Sequence, residues 1–256
     1  MQIKHAVVTG ASAGIGAQYV QQLATRCDSL LVIARRGERL SRLAEEHAGQ
    51  CDITGLTADL SSMEGIASVV EALRQGPEID LLVNNAGFST FGGFTQSAID
   101  DELAMVRLHI DATLALTRAV LFGMRERSHG AVVNVASVGG FMEADRVPTY
   151  GATKAFLISF TRSLAKELLN TGVIAQCLCP GYTRTEIHDS ATMVGVDAER
   201  VPEGLWTQAE EVVSASLAAL QKPDPTWLVV PGEHNANFAR ASVEQLALLL
   251  SEQGEN

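Results

Sequence analysis

Residues 9–20 read TGASAGIGAQYV. The run begins where a strand-like segment, HAVVT (5–9), ends, and it opens onto a helix-period segment, IGAQYVQQLATR (15–26). Gly10, Gly14 and Gly16 therefore occupy a turn and the start of a helix. Glycines there allow a tight strand-to-helix connection and let a pyrophosphate approach the free N–H groups of a helix N-terminus. Any tight turn uses glycine, so the signal lies in the position between strand and helix. The spacing is G-x-x-x-G-x-G rather than the commoner G-x-G-x-x-G. No G-K-S/T follows, which excludes a P-loop.

The same alternation runs along all 256 residues. SLLVIA (29–34), ITGLTA (53–58), DLLVNN (80–85), AVVNVA (131–136), VIAQCLC (173–179) and TWLVV (226–230) read as further strands. The central ones are continuously apolar, as parallel strands covered on both faces are. Between them, ERLSRLAEEHA (38–48), SMEGIASVVEALRQ (62–75) and the segments 99–127, 149–170 and 209–221 carry apolar residues at helical spacing. A last amphipathic helix is expected at VEQLALLLSEQ (243–253). Strict β-α alternation predicts an α/β fold: a Rossmann-like doubly wound parallel sheet in three layers, forming one domain over residues 1–256. Residues 182–206 break the rhythm, and an irregular stretch of that length suggests a substrate lid.

Composition narrows the partners. The net charge is −11 and no Lys/Arg-rich run occurs, which argues against nucleic acid or an anionic membrane. No apolar stretch approaches the length of a spanning helix, and the chain enters a strand at once, leaving no room for a signal peptide. Cys27, Cys51, Cys177 and Cys179 lack C-x-x-C spacing and read as buried free thiols rather than a metal or redox site. A cytoplasmic protein without a metal is the expectation.

Two further positions speak to chemistry. About 20 residues after the glycine turn, an NAD site would place a carboxylate at the end of the second strand. Here that strand ends Ala34-Arg35-Arg36. A guanidinium suits a 2′-phosphate because its planar fork grips two oxygens, so NADP(H) is favoured over NAD(H). At the other end, AVVNVASVGG leaves Ser137 at a strand tip, followed by TYGATK (149–154). Tyr150 and Lys154 stand one helical turn apart. A free phenol with a pKa near 10 is a poor proton donor or acceptor at neutral pH, and a neighbouring ammonium would lower that value. A Tyr/Lys pair at this spacing is usually incidental. Its place after a serine-tipped strand, in a chain with a dinucleotide turn, makes it a candidate site.

Together TGASAGIG (9–16), Asp59 in TADL, NNAG (84–87), Ser137, Y-x-x-x-K (150–154) and PGYTRT (180–185) resemble the short-chain dehydrogenase/reductase family, in its order and spacing. The resemblance covers essentially the whole chain. It implies a seven-stranded sheet and hydride transfer between nicotinamide C4 and a carbonyl or alcohol. It casts Tyr150 as acid/base, Lys154 as the partner that binds the nicotinamide ribose and lowers the tyrosine pKa, and Ser137 as the residue that orients the carbonyl. Cofactor contacts are implied for Gly10, Ser12, Ala13, Gly14, Ile15 and Gly16, and for Arg35 and Arg36. The same holds for Asp59 and Leu60 at the adenine, and for Asn85, Ala86 and Gly87 along the cofactor. Pro180, Gly181, Thr183 and Thr185 would lie near the nicotinamide. The family's long helices imply a homodimer or homotetramer.

One position departs from the family. An Asn that supports a water in the proton path is replaced by His109, in RLHIDAT. Histidine could hold the same water through one ring nitrogen, or it could join the relay and add pH dependence near its ordinary pKa of about 6.5. Phe88, Phe91, Phe94, Phe141, Met142 and Met193 supply apolar pocket walls, while Glu143, Asp145, Arg146, Arg184 and His188 read as a solvated rim. The expected substrate is an uncharged, mostly apolar carbonyl or secondary alcohol. The rivals are a non-catalytic dinucleotide-binding sensor or assembly protein, and a Rossmann-type methyltransferase. The Ser137, Tyr150 and Lys154 set argues against both.

Overall fold

The computed structural model describes residues 1–143, 145–186 and 201–252. Seven strands form one parallel sheet: β1 (His5–Thr9), β2 (Ser29–Ala34), β3 (Asp52–Thr57), β4 (Leu81–Asn84), β5 (Gly130–Val135), β6 (Val173–Leu178) and β7 (Leu228–Val229). Their order is β3-β2-β1-β4-β5-β6-β7. The helices are α1 (Gly14–Leu23), α2 (Gly37–Glu46), α3 (Met63–Gln75), α4 (Ile99–Val106), α5 (Ala112–Glu126), α6 (Pro148–Glu167), α7 (Ala209–Leu220) and α8 (Glu233–Glu252).

Why the central strands are predominantly apolar is visible in the packing. Successive residues point to opposite faces, and both faces are covered. Val8, Val83 and Val133 join one core with Tyr19 and Val20 of α1 and Val213 and Leu217 of α7. Their neighbours Val7, Leu82 and Val132 join a second core with Val69 of α3, Leu116 of α5 and Leu164 of α6. After β3 the chain crosses back to build β4 on the other side of β1, so β1 and β4 are neighbours and their C-terminal ends open a crevice.

A chain of buried amides and hydroxyls locks the floor of that crevice. Asn84 and Asn134 are opposite each other in register, and Asn84 Nδ2 donates to Asn134 Oδ1 at 2.9 Å and to Thr117 Oγ1 at 3.1 Å. Asn134 Nδ2 donates to Thr161 Oγ1 at 2.9 Å, which in turn donates to the Leu157 carbonyl at 2.6 Å. The network ties β4, β5, α5 and α6 together just beneath the strand tips.

Three expectations shift. The long helix expected over 99–127 is interrupted by one wide turn of π-helix at Arg107–Asp111, which contains His109. Such a turn inserts an extra residue and recurs at functional sites. The last strand is shorter than TWLVV, and the last helix begins at Glu233 rather than Val243. Its first half, EHNANFARAS, is too polar to show a clear apolar stripe. Of the lid expected at 182–206, residues 187–200 lie outside the described residues. The flanks meet in a bridge between Thr183 and Thr207, with Thr207 N–H donating to Tyr182 C=O at 2.8 Å and Arg184 N–H to Thr207 C=O at 3.1 Å.

Asn134→Ala is expected to destabilise the protein by about 2–4 kcal/mol, because it strands the buried Asn84 amide and opens a cavity. Urea unfolding with an unchanged slope measures this, and a loss below about 1 kcal/mol would mean that the network contributes little.

Candidate active site

The crevice begins with the glycine turn. Gly10 and Gly14 have φ of +67° and +55°, a region that side-chain-bearing residues rarely adopt. A Cβ on Gly10 would come within 2.8 Å of Ala86 Cα, and one on Gly16 would collide with the Gly10 carbonyl. The turn is pinned to the β4 tip by side chains. Thr9 Oγ1 accepts from the N–H groups of Asn85 at 2.9 Å and Ala86 at 3.0 Å, and Asn85 Nδ2 donates to Thr9 C=O at 2.9 Å. Ile15 packs on the core below. Helix α1 starts after Ala13, and no side chain caps its N-terminus. Its free N–H groups and positive dipole end therefore face the crevice, and the glycines leave room for a diphosphate against the backbone. The residues present fit a dinucleotide.

At the far end of the turn the two sequence-predicted arginines part company. Arg36 reaches back to the glycine turn, with Nε and Nη2 donating to Ser12 Oγ at 3.2 and 2.9 Å. Arg35 is exposed and acts on Asp59, whose carboxyl is held below its ordinary range although partial burial opposes this. Hydrogen bonds from Ser61 and the Arg35 charge outweigh that burial. Leu60 is buried beside it. Sequence reading missed Arg39, whose Nη1 lies 3.3 Å from the Ser12 carbonyl. It also missed Glu186, whose carboxylate bridges Arg36 and Arg39 at 2.9 and 2.7 Å. A residue 147 positions away gives no local signal of such a contact.

The chemistry end sits at the β5 tip. Ser137 Oγ accepts from Gly139 N–H at 3.1 Å and faces the Pro180 carbonyl at 3.5 Å. Tyr150 lies on the first turn of α6, a helix whose start is set by Pro148. Lys154 is only 5% exposed, and its Nζ donates to the Val135 carbonyl at 2.9 Å, 5.5 Å from the Tyr150 ring centre. Burial lowers the ammonium to a pKa of about 8. Burial also raises the Tyr150 phenol, and a hydrogen bond from Ser137 pulls it partly back. The expectation that Lys154 depresses the phenol is therefore not met in the protein alone: at 5.5 Å from the ring, Lys154 does not offset desolvation.

His109 is 1% exposed. Thr153 Oγ1 donates to the Tyr150 carbonyl at 2.8 Å and lies 2.8 Å from His109 Nδ1. With its one proton committed, the hydroxyl accepts from Nδ1–H, which leaves Nε2 a bare acceptor. Nε2 is buried and has no partner among the described residues. A Cβ on Gly87 would stand 2.8 Å from His109 Nε2 and 3.7 Å from Lys154 Nζ, so the glycine keeps open the space between imidazole and ammonium. Burial, then the Lys154 charge, drives the imidazole pKa well below its ordinary value. The ring stays neutral around pH 7, an environment that favours a fixed acceptor over a group that charges near neutrality.

The segment after β6 closes the crevice. Gly181 packs directly on buried Asn235, Thr183 Oγ1 donates to the Gly181 carbonyl at 3.1 Å, and Thr185 lies over the glycine turn, within 2.8 Å of a Cβ built on Gly14. Among the apolar wall residues, Phe88 stands 6.4 Å from His109, ring centre to ring centre. Phe141 packs near Leu157 and Cys179, and Phe91 lies under Arg146 at 4.5 Å. Phe94 is 59% exposed. Arg184 pairs with Glu203 and covers the Trp206 ring, as a rim residue would. Met193 and His188 lie outside the described residues. Cys27, Cys51, Cys177 and Cys179 are free and buried, and no metal-binding cluster occurs among the described residues. No helix among them is long and apolar enough to cross a membrane.

A family model described as short chain dehydrogenase matches residues 4–193. The chain belongs to the short-chain dehydrogenase/reductase family. As an oxidoreductase of that family it has curated and solved relatives over nearly its full length. It is 32% identical over 222 residues to a 3-oxoacyl-(acyl-carrier-protein) reductase of Aquifex aeolicus, covering 85% of this chain and 90% of that one. A Sphingobium yanoikuyae short-chain dehydrogenase solved with NADPH is 31% identical, with a TM-score of 0.84 over 98% of this chain and 94% of that one. The bulky-bulky ketone specific alcohol dehydrogenase of Comamonas testosteroni is 30% identical, with a TM-score of 0.81 over 98% and 95%.

One pH profile tests the electrostatics of this family member's site. For carbonyl reduction, kcat/KM for NADPH reports the free enzyme and is expected to fall as pH rises through about 8, where Lys154 loses its charge. His109→Asn is expected to superimpose on it around neutral pH, since burial and the Lys154 charge hold the imidazole pKa well below its ordinary value. An acid limb present only with His109 would contradict the neutral-acceptor assignment.

Proposed function

We propose that the protein is an NADP(H)-dependent oxidoreductase acting on the carbonyl or secondary alcohol of an uncharged, mostly apolar small molecule. The observation that carries this reading is the buried Lys154 ammonium bonded to the Val135 carbonyl, 5.5 Å from the centre of the Tyr150 ring, with Ser137 Oγ and the Tyr150 ring both beside Gly139. A bound nicotinamide would supply or receive the hydride. The Gly10–Gly16 turn, with the free N–H groups after Ala13, would hold the diphosphate, and Asp59 and Leu60 would border the adenine. Asn85, Ala86 and Gly87 would run along the cofactor. Pro180, Gly181, Thr183 and Thr185 would flank the nicotinamide.

In reduction, Tyr150 donates its proton to the carbonyl oxygen as negative charge develops there, and the Ser137 hydroxyl hydrogen-bonds the same oxygen. Lys154 stabilises the phenolate that remains. Its grip on the ribose would bring that charge to bear, offsetting the burial that holds the phenol high in the protein alone. His109 takes part as a neutral acceptor: Nε2 can receive a hydrogen bond from a water that Lys154 reaches through the space left by Gly87. The proton then has a path from solvent to Tyr150 that does not require the imidazole to change charge.

Arg36 beside Ser12, with no carboxylate at the β2 end, supports NADP(H) over NAD(H). The apolar neighbours Phe88 and Phe141 support an apolar substrate, in line with the bulky-ketone specificity named for the Comamonas relative. Exposed Leu103, Leu114 and Phe122 on α4 and α5 support burial against a second copy.

The test is NADPH oxidation across a carbonyl panel that includes bulky ketones and acyl thioesters. Tyr150→Phe is expected to lower kcat by about a hundredfold or more with NADPH binding retained. Arg36→Gln is expected to raise the KM for NADPH about tenfold and leave that for NADH nearly unchanged. Turnover confined to acyl thioesters would overturn the substrate class. Tyr150→Phe as active as the wild type would overturn the site.

A further inference from the structure

The contact that sequence reading gave no hint of is a carboxylate seated among the cations of the proposed 2′-phosphate pocket. Glu186 Oε2 lies 2.9 Å from Arg36 Nη1, and Oε1 and Oε2 lie 2.7 and 2.9 Å from Arg39 Nη1. Arg36 is held on its other edge by Ser12 Oγ, and Arg39 also reaches the Ser12 carbonyl. Both guanidiniums thus converge on one anionic group at the outer end of the glycine turn. The two arginines, Arg39 more than Arg36, hold the Glu186 carboxyl below its ordinary range, so it is charged at neutral pH.

Resting on the NADP(H) reading above, we propose that Glu186 is an intramolecular competitor of the 2′-phosphate and that Arg39 is a further cation of that pocket. The three side chains are 37–49% exposed, so the ion pairs are screened and weak. A phosphate monoester carries close to two negative charges and three acceptor oxygens, enough to take both guanidiniums from a single carboxylate. NAD(H) offers only a hydroxyl there and leaves Glu186 in place. The contact therefore opposes NADP(H) alone, and it narrows the preference that the arginines create. Glu186 directly follows Thr185, which lies over Gly14, so loss of the contact also frees the end of the segment that borders the nicotinamide side.

Dissociation constants of NADPH and NADH, measured by isothermal titration on the full chain, test this. At low salt, Glu186→Gln is expected to tighten NADPH about fivefold, the effect of removing two weak ion pairs, and to leave NADH unchanged. Molar salt is expected to remove most of the difference. Arg39→Gln is expected to weaken NADPH and not NADH. Far-ultraviolet circular dichroism establishes that each variant is folded. If the wild type prefers NADPH and Glu186→Gln leaves that affinity unchanged, weakens it, or tightens both cofactors equally, the competitor is overturned while the cofactor reading stands. A wild type that binds NADH as tightly as NADPH overturns the cofactor reading itself.

Discussion

The site depends on one buried cation. Among the described residues Lys154 has no carboxylate to pair with, and it survives inside the protein because its ammonium donates to the Val135 carbonyl, at the tip of β5. A lone buried ammonium is costly, and the fall of its pKa to about 8 is that cost expressed as a protonation equilibrium. The carbonyl can serve because a parallel strand ends there, with its last C=O released from the ladder. Helix α6 then has to start at Pro148 for Lys154 to arrive at that carbonyl, which puts Tyr150 one turn earlier beside Ser137. Strand end, helix start and reacting phenol are a single geometric condition.

That condition is held from below by amides rather than by apolar packing. The pairing of Asn84 with Asn134, continued to Thr117 and Thr161, fixes β4 against β5 and both against the helices that carry His109 and Lys154. Directional hydrogen bonds of this kind specify one arrangement where apolar side chains would tolerate several, although the Asn84 Oδ1 acceptor is left without a partner among the described residues. It also explains how the two halves of the crevice stay in step. The β4 tip carries Asn85 to Gly87, which touch the glycine turn on one side and the space between His109 and Lys154 on the other.

What could be read from the sequence follows how locally each feature is encoded. The sheet was legible because two-sided burial makes its central strands apolar at nearly every position, the buried amides of Asn84 and Asn134 excepted. The glycine turn was legible because positive φ at Gly10 and Gly14 admits few other residues. Tyr150 and Lys154 announce themselves by helical spacing. Arg35 and Arg36 looked equivalent as neighbours, yet only Arg36 meets Ser12, because successive residues after a strand diverge. The wide turn at Arg107–Asp111 left no mark in the helical pattern. Thr153 fixes the His109 tautomer from 44 residues away, and Glu186 meets Arg39 from still farther, so neither could be read locally. Sequence spacing supplies the ammonium beside Tyr150 but not the burial that raises the phenol in the protein alone.

The central claim, that Tyr150 and Lys154 serve a hydride transfer at this crevice, has a direct measurement. NADPH carrying deuterium at nicotinamide C4 is incubated with the enzyme and a bulky ketone in ordinary water, and the alcohol is analysed by mass spectrometry. One deuterium retained on the carbinol carbon, with none from a cofactor labelled on the opposite face, is the predicted result. Alcohol that takes the label from neither of the two cofactors, or tight NADPH binding with no alcohol from any ketone, would contradict it.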